Sequence, residues 1–230
     1  MTMKFTRMHE WDLGIAEAKA LQSSLSERVS LHNEISTVRH VAGVDISVRR
    51  TEGIITGSVV LLDYPGLTVQ EVSTVTGELT FPYIPGLLSF REMPAALEAF
   101  EKLRGTPDIV IADGQGFAHP RRFGLACHLG VFLDIPVIGC AKSRLCGTFT
   151  EPGTGAGSSS RLTDNGEDIG TVLRTKTGVK PLFVSPGHKT DMENAVQWIM
   201  NCCRGYRLPE PSRFAHLAAG GNLTIRNTRS

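Results

Sequence analysis

Asp108-Ile109-Val110-Ile111-Ala112-Asp113-Gly114 decides the fold. Pro107 introduces the segment, four consecutive apolar side chains fill it, and an acid and a glycine close it. A strand that is apolar on both faces needs cover on both faces, the situation of a buried parallel strand. Downstream, Phe123, Leu125, Ala126, Leu129 and Phe132 recur at helical spacing, and a second apolar run from Ile135 to Ala141 ends at Lys142. Strand, helix, strand predicts a parallel crossover unit. Both strands end on a polar functional residue, Asp113 and Lys142, at the edge where open α/β sheets place their chemistry.

Upstream of this unit the pattern differs. In Val41-Ala42-Gly43-Val44-Asp45-Ile46-Ser47-Val48, alternation puts Val44, Ile46 and Val48 on one face and Asp45 and Ser47 on the other. Strands are predicted again from Ile54 to Leu62 and from Thr68 to Thr76, with a turn at Asp63-Tyr64-Pro65-Gly66, so the three form an antiparallel meander. Before them, Ala18, Leu21, Leu25 and Val29 give an amphipathic helix from about Asp12 to Ile35. After the crossover, the Gly-, Ser- and Thr-rich segment from Glu151 to Asp168 reads as a mobile surface loop. A hairpin around Gly178 (Thr171–Thr175 with Pro181–Ser185), a helix from about Met192 to Cys203 and a short helix carrying His216 complete the chain. The expected fold is therefore α/β, a mixed sheet of an antiparallel three-strand meander plus parallel strands, flanked by helices. It is expected as a single domain over residues 1–220, with 221–230 a flexible tail.

Composition removes several classes of function. The 230 residues contain no apolar run long enough to span a bilayer, and the first thirty are too polar for a secretory signal. Five cysteines, Cys127, Cys140, Cys146, Cys202 and Cys203, are an odd number without metal-type spacing, which reads as reduced thiols of a cytoplasmic protein. The formal charge is only +1, so a nucleic-acid partner requires a local basic patch and strong salt dependence.

Chemistry concentrates in two further places. In Pro82-Tyr83-Ile84-Pro85-Gly86-Leu87-Leu88-Ser89-Phe90-Arg91-Glu92, two prolines hold Tyr83 in an extended turn, and Gly86 permits close approach to the main chain. Glu92 then opens a helix with an apolar stripe of Met93, Ala96, Leu97, Phe100 and Leu103; the plainer account is a capping box of Ser89 and Glu92. Asp45, Glu92 and Asp113 are three carboxylates that the fold could gather, and gathered carboxylates repel unless a hard cation such as Mg²⁺ or Mn²⁺ lies among them. Separately, each aspartate could be a surface or turn residue. After Asp113, Gly114-Gln115-Gly116 allows close backbone approach, His119 is an acid/base candidate or a structural histidine, and Arg121-Arg122 can meet phosphates at a helix start. Lys142 could stabilise charge on a phosphorus centre. Ser185 with His188 lacks the surroundings of a hydrolase nucleophile.

Taken together, Val41–Ser47, Pro82–Glu92, Ala112-Asp113-Gly114, His119-Pro120-Arg121-Arg122, Gly139–Lys142, Ser185–His188 and Gly205–Pro211 resemble, in order, the endonuclease V family of deoxyinosine-specific repair nucleases. The resemblance implies a ribonuclease-H-like fold and a metal-dependent DNA repair endonuclease. Such an enzyme recognises deoxyinosine and hydrolyses a phosphodiester on its 3′ side, one nucleotide beyond the lesion. It implies that Asp45 and Asp113 hold the metal with Glu92 completing the acidic set, and that Tyr83, Ile84 and Pro85 form a wedge filling the gap left by an extruded base. Gly86, Leu88, Gly114 and His119 would line the hypoxanthine pocket, Lys142 would contact the scissile phosphate region and His216 would lie near the metal. The implied cofactor is Mg²⁺, with Mn²⁺ able to substitute. The implied partner is deoxyinosine-containing damaged DNA, bound by a monomer. An inosine-specific ribonuclease, or another ribonuclease-H-like nuclease, shares the acids and remains the rival.

Overall fold

Apolar–polar alternation over residues 40–78 produces three ten-residue strands, β1 (His40–Arg49), β2 (Ile54–Asp63) and β3 (Val69–Glu78), in an antiparallel meander. The structure is a computed structural model that describes residue 5 and residues 7–223. The apolar runs form β4 (Ile109–Ala112) and β5 (Val137–Ala141), joined through α3 (Leu125–Leu133), and β4 pairs in parallel with both β1 and β5. Three more antiparallel strands, β6 (Ser159–Asp164), β7 (Glu167–Leu173) and β8 (Leu182–His188), extend the sheet to the order β3-β2-β1-β4-β5-β8-β7-β6. This is the expected mixed α/β sheet, with β4 and β5 at its centre and β1 beside β4.

The sheet is covered on both faces, as the unbroken apolar character of β4 requires. On one side α2 (Leu88–Glu101) and α3 pack Met93, Phe100, Leu129 and Phe132 onto Ala42, Val44, Val110 and Ala112. On the other, α4 (Met192–Asn201) and α5 (Glu210–Ala219) pack Ala195, Ile199 and Ala215 onto Val41, Ile109 and Ile111. Phe90, Phe100, Phe123 and Phe132 are all essentially fully buried, each contributing roughly 1.5–3 kcal/mol. The amphipathic helix α1 (Ile15–Ser26) docks Ala18 against Phe81, Leu87 and Phe90, and Leu25 against Phe123. One contact fixes the spacing of α5. A Cβ on Gly43 would lie 1.9 Å from the Pro211 carbonyl oxygen, so only glycine in β1 lets the start of α5 come this close.

Four expectations need correction. The segment read as a mobile loop contains β6 and the start of β7, joined at Asn165-Gly166 with φ of 52° and 82°. Asn-Gly with both φ positive is the favoured two-residue hairpin turn, and it outweighs the loop-like composition around it. The first helix stops at Ser26, well short of Ile35; the Ser26 and Ser23 hydroxyls donate to the carbonyls of Ser23 and Lys19, competing with continued helix. The strand expected to end at Ser185 runs on through Pro186 and Gly187 to His188, and α4 ends at Asn201, two residues before Cys203. The expected tail falls largely on residues 224–230, which lie outside the described residues. Among the described residues no helix is long and apolar enough to cross a membrane.

Candidate active site

The pleat of β1 settles where Asp45 points. Val44 enters the core beneath α2 and α3, so Asp45 faces the opposite side, toward α5. There His216 Nδ1 lies 2.7 Å from Asp45 Oδ2, while Asp45 Oδ1 accepts a hydrogen bond from the Ile46 N–H at 2.8 Å. Asp113 is the first residue past β4, and its N–H donates to the Val44 carbonyl at 3.1 Å, which sets it beside β1. Ligand atoms of Asp45, Asp113 and His216 all lie within 4.8 Å of one another. Lys142, just past the end of β5, forms an ion pair with Asp113 Oδ2.

Glu92 lies outside that triangle but within its field. Burial first, then the Asp45 and Asp113 charges, push its pKa up to about 8 against the opposing pull of Arg91. Burial and Asp45 likewise raise Asp113, with Lys142 working the other way. Lys142 is held above the usual ammonium range: burial opposes this, and the charges of Asp113 and Asp45 outweigh it. Two converging carboxylates and an imidazole, with a third carboxyl close by whose pKa is raised by burial and by their charges, form a donor set that suits a hard divalent cation. The capping-box account of Ser89 and Glu92 does not hold. No side chain caps α2, and Ser89 Oγ instead hydrogen-bonds His128 Nδ1 at 2.9 Å.

Beside the acids opens a cavity of about 340 Å³, within the range of small-ligand pockets. Tyr83, Ile84, Pro85, Gly86 and Leu88 form one wall, while Asp113, Gly114, His119 and Lys142 stand in the others. Tyr83 is 57% exposed. Gly86 adopts φ +79°, and a Cβ there would come within 3.0 Å of Arg121 Nη2. Its carbonyl accepts from His119 Nε2 at 3.0 Å and from Arg121 Nη2 at 2.7 Å. Because a carbonyl only accepts, His119 carries its proton on Nε2, and Nδ1 accepts from the Arg121 N–H at 3.1 Å. Burial pushes the His119 pKa down to about 4, with the Arg121 and Arg122 charges adding to it and the Gly86 bond resisting. At neutral pH the imidazole is an uncharged brace for the Pro82–Leu88 turn.

Two arginines expected at a phosphate are held by the protein, and neither lines the cavity. Arg121 Nε donates to Gln22 Oε1 at 2.7 Å; Arg122 pairs with Asp164 at 3.0 Å and Glu167 at 2.7 Å, clamping the β6–β7 hairpin. Gln22 was missed by the sequence reading. It interrupts the buried stripe Ala18–Gln22–Leu25 of α1, and a polar residue in such a stripe is the signal that could have found it. Gln115 also lines the cavity, with Nε2 donating to the Ser143 carbonyl at 2.8 Å and Oε1 buried without a partner among the described residues.

Comparison with known proteins agrees along nearly the whole chain. The family model for Endonuclease V matches residues 23–217. An endonuclease V of Dehalococcoides mccartyi is 52% identical over 219 residues, covering 95% of this chain and 98% of that protein. The crystal structure of endonuclease V from Bacillus subtilis superposes with a TM-score of 0.91 at 32% identity, covering 95% of this chain and 96% of that one. That of Ciona intestinalis endonuclease V, 29% identical with a TM-score of 0.79 over 90% of this chain and 95% of its own, was solved in complex with a 23mer DNA containing an inosine followed by a ribo-adenosine. The fold is ribonuclease-H-like.

Proposed function

The chain belongs to the endonuclease V family of phosphodiester-hydrolysing deoxyribonucleases, and from that premise we propose that it is a divalent-metal-dependent repair enzyme. Its substrate is DNA carrying deoxyinosine, the product of adenine deamination, cut on the 3′ side one nucleotide beyond the lesion. The observation that carries this reading is the convergence of Asp45, Asp113 and His216 donor atoms within 4.8 Å, with Asp113 also standing in the wall of the cavity. Asp45 and Asp113 would hold Mg²⁺ or Mn²⁺, with Glu92 completing the acidic set and His216 beside it. Such an ion, when bound, supplies Lewis-acid stabilisation of charge on the phosphodiester and activates water for attack.

The remaining work belongs to side chains of this chain. Tyr83, Ile84 and Pro85 form a stiff wedge that restacks against the neighbours of an extruded base, offsetting the few kcal/mol that extrusion costs. The base enters the cavity between Gly86 and Leu88 on one side and Gly114 and His119 on the other. His119 keeps its proton on Nε2 for the Gly86 carbonyl, so the wedge turn stays in place while the substrate is bound. Lys142, now paired with Asp113, carries the cation that faces charge developing on the scissile phosphate. One copy supplies every group named, so the enzyme acts as a monomer with a single nuclease domain over residues 1–220. Five free thiols fit a reducing, cytoplasmic setting.

An end-labelled duplex with one hypoxanthine, incubated with Mg²⁺ or with chelator, tests the reading directly. One cut on the 3′ side is expected only with the metal, absent from Asp45→Asn although that variant still binds; cleavage that survives chelation would sink the metal site. A second reading, inosine in RNA, is favoured by the ribo-adenosine after inosine in the Ciona strand. Faster cleavage of an inosine-containing RNA than of the DNA duplex would establish it instead.

A further inference from the structure

Tyr83 is a wall shared by two cavities. Behind it, away from Asp113, lies a second cleft of about 390 Å³, lined by Arg50, Leu79, Thr80, Phe81, Tyr83 and Arg91. Two guanidiniums meet the same ring there, Arg50 with its Cζ 5.3 Å and Arg91 with its Cζ 5.6 Å from the Tyr83 centroid. Arg50 is exposed, in the β1–β2 turn, whereas Arg91 is only 6% exposed in the first turn of α2. The Arg91 Nε is buried without a hydrogen-bond partner, and no carboxylate lies in ion-pair reach of this guanidinium among the described residues. A buried guanidinium N–H without an acceptor is unfavourable, and a second cation at the same ring adds repulsion. Among the described residues, the other arginines with largely buried side chains have partners: Arg122 has Asp164 and Glu167, and Arg174 has Glu151.

We propose that Arg91 and Arg50 form an anion site for one phosphate of the nucleic-acid backbone, on the side of Tyr83 remote from the base cavity. The inference rests on the wedge role given to Tyr83 above and extends it. Guanidinium is the group best matched to phosphate, through paired N–H donors, and the apolar faces of Phe81 and Tyr83 suit the sugar and base attached to it. A ring inserted into the stack brings the adjoining backbone against the arginines that flank it. The site anchors the strand without reading sequence, as phosphate contacts do.

The test is salt-dependent binding by fluorescence anisotropy, using the full-length protein in chelator and matched duplexes with and without one deoxyinosine. Arg91→Gln and Arg50→Gln should each weaken binding to the deoxyinosine duplex, in which the ring is inserted, more than binding to the duplex without it. Losing one phosphate contact lowers the salt slope by about 0.9, so the gap to the parent protein should narrow about threefold between 50 and 200 mM salt. An unchanged slope on the deoxyinosine duplex, or a loss no larger there than on the duplex without it, overturns the proposal. If Arg91→Gln fails to fold in a melting assay, the exposed Arg50→Gln decides alone. A free anion is distinguished by melting the protein in inorganic phosphate without DNA. Stabilisation of the parent but not of Arg91→Gln, with the DNA salt slope unchanged, would assign the site to a free anion and overturn the backbone reading. Cleavage by the parent protein in Mg²⁺, measured alongside, reports separately on the nuclease assignment.

Discussion

His119 shows how burial selects between roles open to one residue type. Histidine in water would be half charged near pH 6.5, and a loop histidine beside glycines invites an acid/base role. Here burial and two arginines hold the ring neutral down to about pH 4, and both nitrogens are committed, one to the Gly86 carbonyl and one to the Arg121 N–H. A folded pKa below the unfolded value means that the unfolded chain binds the extra proton. The stabilisation is therefore complete above pH 6.5 and is lost as the pH falls toward 4, by up to about 3 kcal/mol for a shift of this size. Urea unfolding of the parent and of His119→Gln at pH 7 and pH 4.5 checks this, because His9, His128 and His188 are common to both proteins. The parent should lose more stability on acidification than the variant; equal losses would mean that the imidazole is not held neutral. Above pH 7 the two pH profiles should run parallel.

At the scale of elements, the site depends on how closely α5 lies on β1. The Cβ of Gly43→Ala would meet the carbonyl oxygen, carbonyl carbon and Cα of Pro211 at 1.9, 2.2 and 2.9 Å, all of them backbone, so the helix must shift rather than a side chain rotate. Overpacking of this kind costs about 1–3 kcal/mol or more, and it carries His216 away from Asp45. We expect Gly43→Ala to melt several degrees lower and to lose most of its cleavage. Gly77→Ala, in β3 with nothing within 4 Å of its Cβ, should match the parent in both and serves as the control. Such packing also marks what could be read in the sequence. Asp113 and Lys142 were legible because each ends an apolar run, and Asp45 because alternation assigns it a face. The β6–β7 hairpin was hidden by composition although Asn165-Gly166 carried its turn signal, and the end of α1 was hidden because apolar spacing continues past Ser26 to Val29. The close approach of Gly43 to Pro211, the Gln22–Arg121–Gly86 bracing and the meeting of Arg50 with Arg91 at Tyr83 join residues distant in sequence, so no local pattern announces them. The cavity wall at Gly86 and Leu88 was named from family resemblance alone.

Across the whole molecule, the candidate metal centre is where separate elements meet: Asp45 comes from β1, Asp113 from the end of β4, Glu92 from α2 and His216 from α5. Helices from both faces of the sheet thus converge on one cluster of like charges, and burial together with that crowding raises the pKa values of Glu92 and Asp113. An ion that binds this arrangement and not the unfolded chain stabilises the entire domain. At ten times its dissociation constant the gain is about 1.4 kcal/mol, which for a chain of this size corresponds to a rise in Tm of about 3–6 °C. Thermal melts with Mg²⁺ and with chelator should show that rise in the parent protein and none in Asp113→Asn. The variant also frees Lys142 from its ion pair, so its Tm in chelator need not equal that of the parent; the metal-induced difference is the quantity that matters. An equal rise in both proteins would mean that the ion stabilises through some other group, and the four elements would then be joined by packing alone.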